Sequence, residues 1–424
     1  MPSRYWFVVG TFALSVLLYV DRACISAAKE SMVGDLALDE KQWAWVLAAF
    51  SLGYALFQTP GGWLADRFGP RVLLTSVVAL WSVFTGLTGA AIGLTTLIVA
   101  RFAFGAGEAG AFPGMARAAY SWIPMNERGL VQGINFSGSR FGGALALFVM
   151  PQLLAALGWR TTFATLMAIG FVWAIGWWLW FRDEPTQKSS VSPEELALIE
   201  SGRQVTSEDQ EHEAGDLTAG DLLRSGRMGL LCLQYFASNF TFFFCLTHWF
   251  PHLKSEFGLS SGAAGGYAAM PLVFGAFGNW FSGWLIDRLY RSGRWPLSRR
   301  LPAAIGFSLA TAGVLMSMQQ TEVLPAVLWF CVAIFGADMT LAPSWSCCMD
   351  IGQRHSGMVS GTMNMAGNVG GFITTLAYAY LKDWSGAQST FFFVAAGLNA
   401  IAVVCWLLLD PRKPLSASGT GVDR

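Results

Sequence analysis

Residues 101–113 read Arg-Phe-Ala-Phe-Gly-Ala-Gly-Glu-Ala-Gly-Ala-Phe-Pro, inside an apolar segment, 94–120, that is long enough to cross a bilayer. Arg101 and Glu108 are seven residues apart, close to two helical turns, so their side chains share one face about 10 Å apart along the axis. Ionisable groups at such depth are costly and face a bundle interior or a wet cavity. Glycines nearby let a second helix come close. We therefore expect this helix to line a substrate path that other helices complete.

The composition is that of a membrane protein. Of 424 residues, 54% are hydrophobic and 13% are charged, whereas a soluble domain carries about 25% charged residues. The net charge of zero gives no indication of a nucleic-acid partner. The seven cysteines lie in or beside apolar runs without CxxC spacing, so we interpret them as packing residues and expect neither disulfides nor a metal site. The N-terminal apolar run lacks a convincing cleavage site and is predicted to be a retained first helix.

Twelve apolar segments of spanning length follow one another along the chain. They lie at 5–27, 42–65, 72–92, 94–120, 129–157, 161–181, 228–252, 263–287, 301–319, 323–348, 357–381 and 389–409. The fold class is therefore an all-α membrane protein with twelve transmembrane helices. One long hydrophilic stretch, 182–227, divides the segments six and six.

Charge and capping residues organise the remaining chain. Ser192 followed by Pro193 predicts the start of a short surface helix that ends near Ser201 within the linker 182–227. Lys and Arg concentrate in the tail and in the loops that follow the even-numbered apolar segments. This distribution predicts that both termini and the linker are cytoplasmic. The domains are then an N-terminal six-helix half, 1–181, the linker, a C-terminal half, 228–410, and a disordered tail, 411–424.

The two halves repeat one another. Gly62-Trp63-Leu64-Ala65-Asp66-Arg67 recurs 221 residues later as Gly283-Trp284-Leu285-Ile286-Asp287-Arg288. At the same shift, Asp39 and Ser260 are plausible N-caps of the helices that follow them, and further along the chain residues 133–143 correspond to 361–371. Six-helix halves in parallel repeat are typical of transporters, with a substrate site expected between them at mid-membrane.

At these residues the chain resembles a transporter of the major facilitator superfamily. The stretch GGWLADRFGPR, 61–71, matches the superfamily's loop signature between helices two and three, apart from Pro70, where a basic residue is common. The resemblance implies a gating motif made of Gly62, Asp66, Arg67, Gly69, Arg71, Asp287 and Arg288. In such a gate each aspartate caps or pairs with a neighbouring helix end in one state and releases it in the other.

More narrowly, the chain resembles the anion:cation symporter branch, which includes permeases for hexuronates, galactonate and glucarate and carriers for sialic acid. The matching residues are Tyr19 to Arg22, the Arg101–Glu108 pair with Phe112-Pro113, and Ser360 to Asn364 with Asn368. The resemblance implies that Asp21 and Glu108 carry protons. It also implies that substrate contacts come from Arg22, Tyr54, Gln58, Arg101, Arg140, Tyr235, Asn239, Asn364 and Asn368. Trp345 is a further candidate, as a tryptophan that could line the cavity.

Each of these assignments has a structural alternative. Arg101 and Glu108 could form a charge network that only locks helices together, and Asp21 and Arg22 could lie in headgroup water. Arg140 could serve a structural partner, and tryptophans such as Trp345 could be packing or belt residues. Asp338, in the apolar segment 323–348, is either a hydrogen-bonded structural residue or a third acid that pairs with Arg140 or titrates.

The sequence therefore predicts a monomeric, proton-coupled symporter in a bacterial-type inner membrane that imports an organic anion, in the first place a sugar acid. Its partners are the anion, protons and lipid. No motif of an enzyme or of a nucleotide cofactor occurs. The alternatives are a carrier of aromatic or short-chain carboxylates and, in another class, a membrane sensor of sugar acids.

Overall fold

The computed structural model describes residues 2–203, 217–387 and 389–415, and within these ranges it contains helices but no strand. Residues 204–216 of the linker and 416–424 of the tail lie outside the described residues. We number the helices in chain order. They are α1 (Ser3–Ala27), α2 (Lys29–Asp35), α3 (Glu40–Phe68), α4 (Pro70–Gly89), α5 (Leu94–Glu108), α6 (Ala111–Trp122), α7 (Arg128–Trp180), α8 (Pro193–Ser201), α9 (Ala219–Arg224), α10 (Gly226–Thr247), α11 (Trp249–Phe257), α12 (Ser261–Arg291), α13 (Trp295–Ser317), α14 (Val323–Met339), α15 (Leu341–Gly352), α16 (Ser356–Ser385) and α17 (Ser389–Leu408).

These helices fill the twelve predicted segments. Three segments are broken, because α5 gives way to α6 after Glu108, α10 to α11 after Thr247, and α14 to α15 after Met339. Two others are joined in α7, which bends at Gly158, where φ is 71°. By length and composition alone, seven described stretches are apolar enough to span a membrane.

Capping residues set the helix starts that the sequence predicts. The Asp39 side chain accepts the Gln42 backbone N–H at 2.8 Å, and Gln42 returns a contact to the Asp39 backbone, which completes a capping box. Ser260 caps α12 in the same way by accepting the Ala263 N–H. Helix α8 begins at Pro193, one residue after Ser192.

The chain forms two compact units that do not coincide with the two sequence halves. Unit 1 comprises residues 1–123, 138–201 and 354–365, and unit 2 comprises 124–137, 202–353 and 366–424. The start of α7 thus belongs to unit 2, and the start of α16 belongs to unit 1. Each unit has its own apolar core, around Trp43 and Phe163 in unit 1 and around Phe244 and Phe330 in unit 2.

The beginning of the tail differs from expectation. The sequence predicts disorder from residue 411, but Leu415 is buried and its backbone N–H donates to the Ile351 carbonyl at 2.8 Å. Arg227 donates to the carbonyls of Lys413 and Pro414. These contacts order residues 411–415, because burying one leucine and pairing three backbone groups offsets the entropy of the short segment.

Candidate functional site

A buried group of charges forms where α1, α3 and α5 meet in unit 1. Arg101 and Glu108 are both buried, as expected for one face of a helix inside a bundle. Gly105 lies between them and brings α3 close, since a Cβ there would lie 2.8 Å from the Tyr54 backbone nitrogen. This close approach sets Phe50 and Tyr54 of α3 beside the charges.

The Glu108 carboxylate is paired with Arg22 of α1. Arg22 Nε donates to Glu108 Oε1 at 2.6 Å, and Arg22 Nη2 forms an ion pair with the same oxygen. Three aromatic rings surround the guanidinium of Arg22, with centroids 4.4 Å (Tyr54), 5.1 Å (Tyr19) and 5.4 Å (Phe50) away. Within the described residues Glu108 Oε2 has no hydrogen-bond partner, so half of this carboxylate is unused.

Arg101 has a different environment. Its guanidinium lies over the rings of Phe104, at 4.7 Å, and Phe50, at 4.9 Å. It is close enough to Asp21 and Glu108 to interact electrostatically, but it makes no ion pair within 4 Å in the described part of the chain, and its Nε has no hydrogen-bond partner there. Arg101 is therefore a buried cation with donors to spare.

Asp21 lies one residue before Arg22 but points elsewhere, as adjacent helical positions must. It is buried, and neither of its carboxylate oxygens has a hydrogen-bond partner among the described residues. Trp81 of α4 lies near it. Sequence reasoning missed Trp81, because a tryptophan in an apolar helix has the pattern of a packing residue.

An amide pair extends the polar surface along α3. Asn364 Nδ2 donates to Gln58 Oε1 at 2.8 Å, and the Thr59 and Thr362 hydroxyls are 3.2 Å apart. Gln58 is one turn beyond Tyr54, and its own Nε2 has no partner in the described chain. Unit 1 thus brings Arg22, Tyr54, Gln58 and Asn364 into one continuous group.

Unit 2 contains uncharged residues that the sequence predicts as substrate contacts. Trp345 Nε1 donates to the Tyr235 hydroxyl at 2.9 Å, and the Phe136 ring is 5.4 Å from the Trp345 ring. Asn239 Nδ2 donates to the Tyr235 carbonyl at 3.0 Å. Trp345 is buried, which fits the packing alternative as well as a lining role.

Three further predicted residues are placed by their helices. Arg140 lies in the part of α7 that belongs to unit 1, and Asn368 lies in the part of α16 that belongs to unit 2; both are half-buried. Asp338 is buried in unit 2, where Asn279 Nδ2 donates to its Oδ2 at 3.2 Å and also to the Gly275 carbonyl.

Both copies of the repeated loop motif cap a helix. Asp66 accepts the backbone N–H groups of Gly357 at 2.9 Å and Met358 at 2.7 Å, at the start of α16. Asp287 accepts those of Gly129 at 2.9 Å and Leu130 at 3.0 Å, at the start of α7. A carboxylate at a helix N-terminus pairs with otherwise free N–H groups and with the helix dipole.

The other motif residues shape the connection between α3 and α4. Gly69 adopts φ 80°, which favours glycine. The Arg71 side chain donates to the Trp178 carbonyl at 2.7 Å, and its backbone N–H donates to Asp183 at 2.7 Å. Burial raises the pKa of Asp183, and the Arg71 N–H opposes that rise. Gly62 packs on Gly357, Arg67 stacks on Trp63 and Arg288 stacks on Trp284.

Sequence reasoning also missed a buried charge cluster in unit 2. Asp350 accepts from Arg128 Nη1 at 2.9 Å, Arg299 Nε at 2.8 Å and Trp295 Nε1 at 3.2 Å, and all three charged residues are fully buried. These charges lie near helix ends, where a sequence predicts inexpensive solvation. Within the described residues no group of His, Cys, Asp and Glu has the arrangement of a metal site.

Comparisons with known proteins identify the same transporter family that the sequence resembles. The family model described as Major Facilitator Superfamily matches residues 11–375. A probable sulfoacetate transporter of Cupriavidus necator is 32% identical over 407 residues, covering 95% of this chain and 93% of the relative. A probable galactarate/D-glucarate transporter of Escherichia coli K12 is 32% identical over 425 residues, with 96% and 93% coverage. The hexuronate transporter of Bacillus subtilis is 28% identical over 400 residues, with 93% and 92% coverage.

A solved structure supports the fold alone. The proton:xylose symporter bound to 6-bromo-6-deoxy-D-glucose superposes with a TM-score of 0.77 at 14% identity, covering 97% of each chain. The twelve helices in two six-helix halves are therefore an arrangement already seen in solved transporters.

Proposed function

The chain belongs to the major facilitator superfamily, and from that premise we propose that it is a proton-coupled symporter that imports a sugar acid by alternating access. Transport of small molecules is the function of this family, and the chain is no enzyme. The relatives carry anions according to their names. The substrate class and the coupling ion are the proposal.

The observation that carries the proposal is the buried ion pair between Arg22 and Glu108. A guanidinium fork suits a carboxylate and stays charged when buried. While Glu108 is ionised, it occupies the position on Arg22 that a substrate carboxylate would need. Protonation of Glu108 removes that competitor, so substrate and proton bind together.

Arg101 and Asp21 complete a group of four charged residues with Arg22 and Glu108. Arg22, Arg101, Asp21 and Glu108 sum to zero charge, which a buried site tolerates better than a net charge. Adding an anion without protons would leave the site negative. Protonating one acid for each negative charge of the substrate keeps the balance, which favours coupled entry of anion and protons.

A sugar acid fits the neutral groups around the charges. With its carboxylate at Arg22, its hydroxyls would extend along α3 toward the spare Nε2 donor of Gln58, which Asn364 orients. Tyr235, Asn239, Trp345 and Asn368 remain proposed substrate contacts, and their side chains offer neutral donors, acceptors and ring faces. The relatives named for galactarate, D-glucarate and hexuronate favour the same class.

The two aspartate caps would act as gates. We propose that Asp66 and Asp287 hold the starts of α16 and α7 in one state of the cycle and release them in the other. The chain would work as a monomer in a bacterial-type inner membrane, with both termini cytoplasmic, as the distribution of Lys and Arg predicts.

Uptake into proteoliposomes tests this proposal. With an inward proton gradient, labelled galactarate, glucarate, galactonate and glucuronate are offered singly, and a protonophore serves as the control. We expect accumulation of at least one of these acids above equilibrium, abolished by the protonophore. Absence of accumulation for all four would contradict the proposal. A sensor would bind the acid without moving it.

A second candidate is import of a short-chain acid, favoured by the relative named for sulfoacetate. In this reading the two guanidinium groups of Arg22 and Arg101 would hold both ends of a small dianion. The same assay with labelled sulfoacetate and with benzoate, for the aromatic alternative, separates the candidates, because one acid class should compete for uptake of the others at much lower concentration.

A further inference from the structure

We propose that Trp81 is a positioning residue for proton coupling: its indole N–H is the donor that meets the Asp21 carboxylate when that acid gives up its proton. This inference rests on the proposed function, since it assigns Asp21 the role of a proton carrier. It adds a residue in α4, outside the helices that hold the charged groups.

Asp21 needs such a donor. Both of its oxygens lack a hydrogen-bond partner in the described part of the chain although the residue is buried. The charged and titratable groups that face it are Arg101 and Glu108 of α5 and Cys24, one turn along α1. An ionised carboxylate left without donors at this depth carries a large desolvation cost.

The indole N–H of Trp81 is a donor that lacks an acceptor in the described part of the chain. Trp81 is fully buried and its Nε1 has no hydrogen-bond partner among the described residues. By contrast, Trp122 Nε1 donates to the Arg182 carbonyl at 2.8 Å and Trp406 Nε1 to Gln234 at 3.2 Å. Trp177 and Trp249 also lack a partner, but the Trp81 N–H lies close to a carboxylate that is itself unpaired. The two groups do not meet hydrogen-bond geometry in this state.

The packing of Trp81 holds it next to the coupling acids. A Cβ at Gly107, the residue before Glu108, would lie 3.5 Å from the Trp81 backbone nitrogen, and one at Gly170 of α7 would lie 3.9 Å from Trp81 Nε1. Helix α5 thus packs on the backbone of Trp81 and α7 lies beside its indole nitrogen.

The chemistry of indole makes the contact selective. Its N–H donates and the ring nitrogen cannot accept, and a hydrogen bond to a carboxylate is about twice as strong as one to the carbonyl oxygen of a neutral acid. The contact therefore favours proton release over retention. Without it, Asp21 keeps its proton through the part of the cycle in which the proton must leave.

Trp81→Phe tests this, because it removes the N–H and keeps an aromatic ring. The control is Trp122→Phe, which removes a buried indole N–H from a structural bond. We expect Trp81→Phe to lower proton-driven accumulation about tenfold, the effect typical of one hydrogen bond to a charged group. Exchange of internal for external substrate should stay near wild type, and the pH optimum of driven uptake should move to higher pH. Trp122→Phe should keep the wild-type pH profile.

Wild-type accumulation and pH profile in Trp81→Phe would overturn the inference and leave the proposed function intact. Failure of the wild type itself to accumulate any acid would instead overturn the proposed function. Should Trp81→Phe not fold, the indole ¹H–¹⁵N signal of Trp81 decides. It should move as pH rises in the otherwise unaltered protein and stay fixed in Asp21→Asn, and a signal that stays fixed in both would overturn the inference.

Discussion

Arg22 and Arg101 bring the same charge into unit 1, but only Arg22 is neutralised by direct contact. Arg22 is bonded to Glu108, whereas Arg101 lies between Phe50 and Phe104 with a donor unpaired in the described chain. A buried cation in this condition gains most from an incoming anion. At the residue scale, Arg101 should therefore hold the substrate carboxylate together with Arg22.

Arg101→Gln should abolish binding of the transported acid and leave the protein folded. The amide keeps the polar character but loses the charge and the fork, so we expect affinity to fall about a hundredfold or more. Isothermal calorimetry on purified protein measures it. Arg412→Gln, which removes an exposed arginine paired with Asp410, is the control, and equal affinities for both variants would contradict the assignment.

Asp338 has two alternative roles, a structural one and one in the proton cycle. Its contact with Asn279 is what a hydrogen-bonded structural residue would make, and we propose that Asp338 also takes part in the proton cycle. If it does, Asp338→Asn shifts the pH optimum of transport relative to wild type. An unchanged pH profile with lower expression alone would assign Asp338 to structure.

At the scale of single helices, α1 and α16 are each held at their start by a carboxylate from elsewhere in unit 1. Pro2 offers α1 no side-chain cap, and Glu195 of α8 accepts the N–H groups of Ser3 and Arg4, each at 2.9 Å. Asp66 does the same for α16. These contacts thus position the starts of two long helices. Helix α1 carries Arg22 of the charged group, and α16 carries Asn364 of the amide pair.

Asp66→Asn should slow transport far more than it weakens binding. The amide can accept one of the two N–H bonds and carries no charge for the helix dipole, while Asp66 itself contacts none of the charged site residues. We expect turnover to fall about tenfold with affinity within about twofold. Asp39→Asn, at the other end of α3 and still able to cap it, is the control. Normal turnover in Asp66→Asn would rule out the gate.

Glu195→Ala should destabilise the protein by about 1–2 kcal/mol, since two buried backbone N–H groups lose their acceptor. A lower melting temperature in detergent is the measurement. Glu200→Ala, at an exposed position of the same helix, should leave the melting temperature unchanged. Equal melting temperatures for both variants would show that α8 does not hold α1.

The helix starts and the inward face of α5 could be predicted from sequence, because caps and periodicity are local. The partner of Glu108 could not be predicted from the sequence. Asp21 and Arg22 are adjacent, and only the packing of α1 against α5 decides that Arg22 takes the carboxylate and Asp21 turns toward Trp81. The Asp350 cluster was missed for a related reason: its members are distant in sequence and meet only after folding.

At the scale of the whole molecule, the two repeats share the fold but differ in chemistry. The positions of α10 that correspond to Asp21 and Arg22 hold Phe242 and Phe243, which belong to or pack on the apolar core of unit 2. The motif aspartates, in contrast, cap helices in both units. The repeat therefore preserves the two helix caps and restricts the acids and guanidiniums of the proposed coupling site to unit 1. This separation supports a proposal in which one half carries charge and the other reads neutral groups.

The central claim is that Glu108 competes with the substrate for Arg22 and withdraws when protonated, and Glu108→Gln measures it most directly, because the amide mimics the protonated acid. In proteoliposomes, the account predicts that this variant no longer accumulates substrate under an imposed pH gradient but still exchanges internal for external substrate at near the wild-type rate. A Glu108→Gln protein that still concentrates substrate when only a pH gradient is imposed would contradict the account.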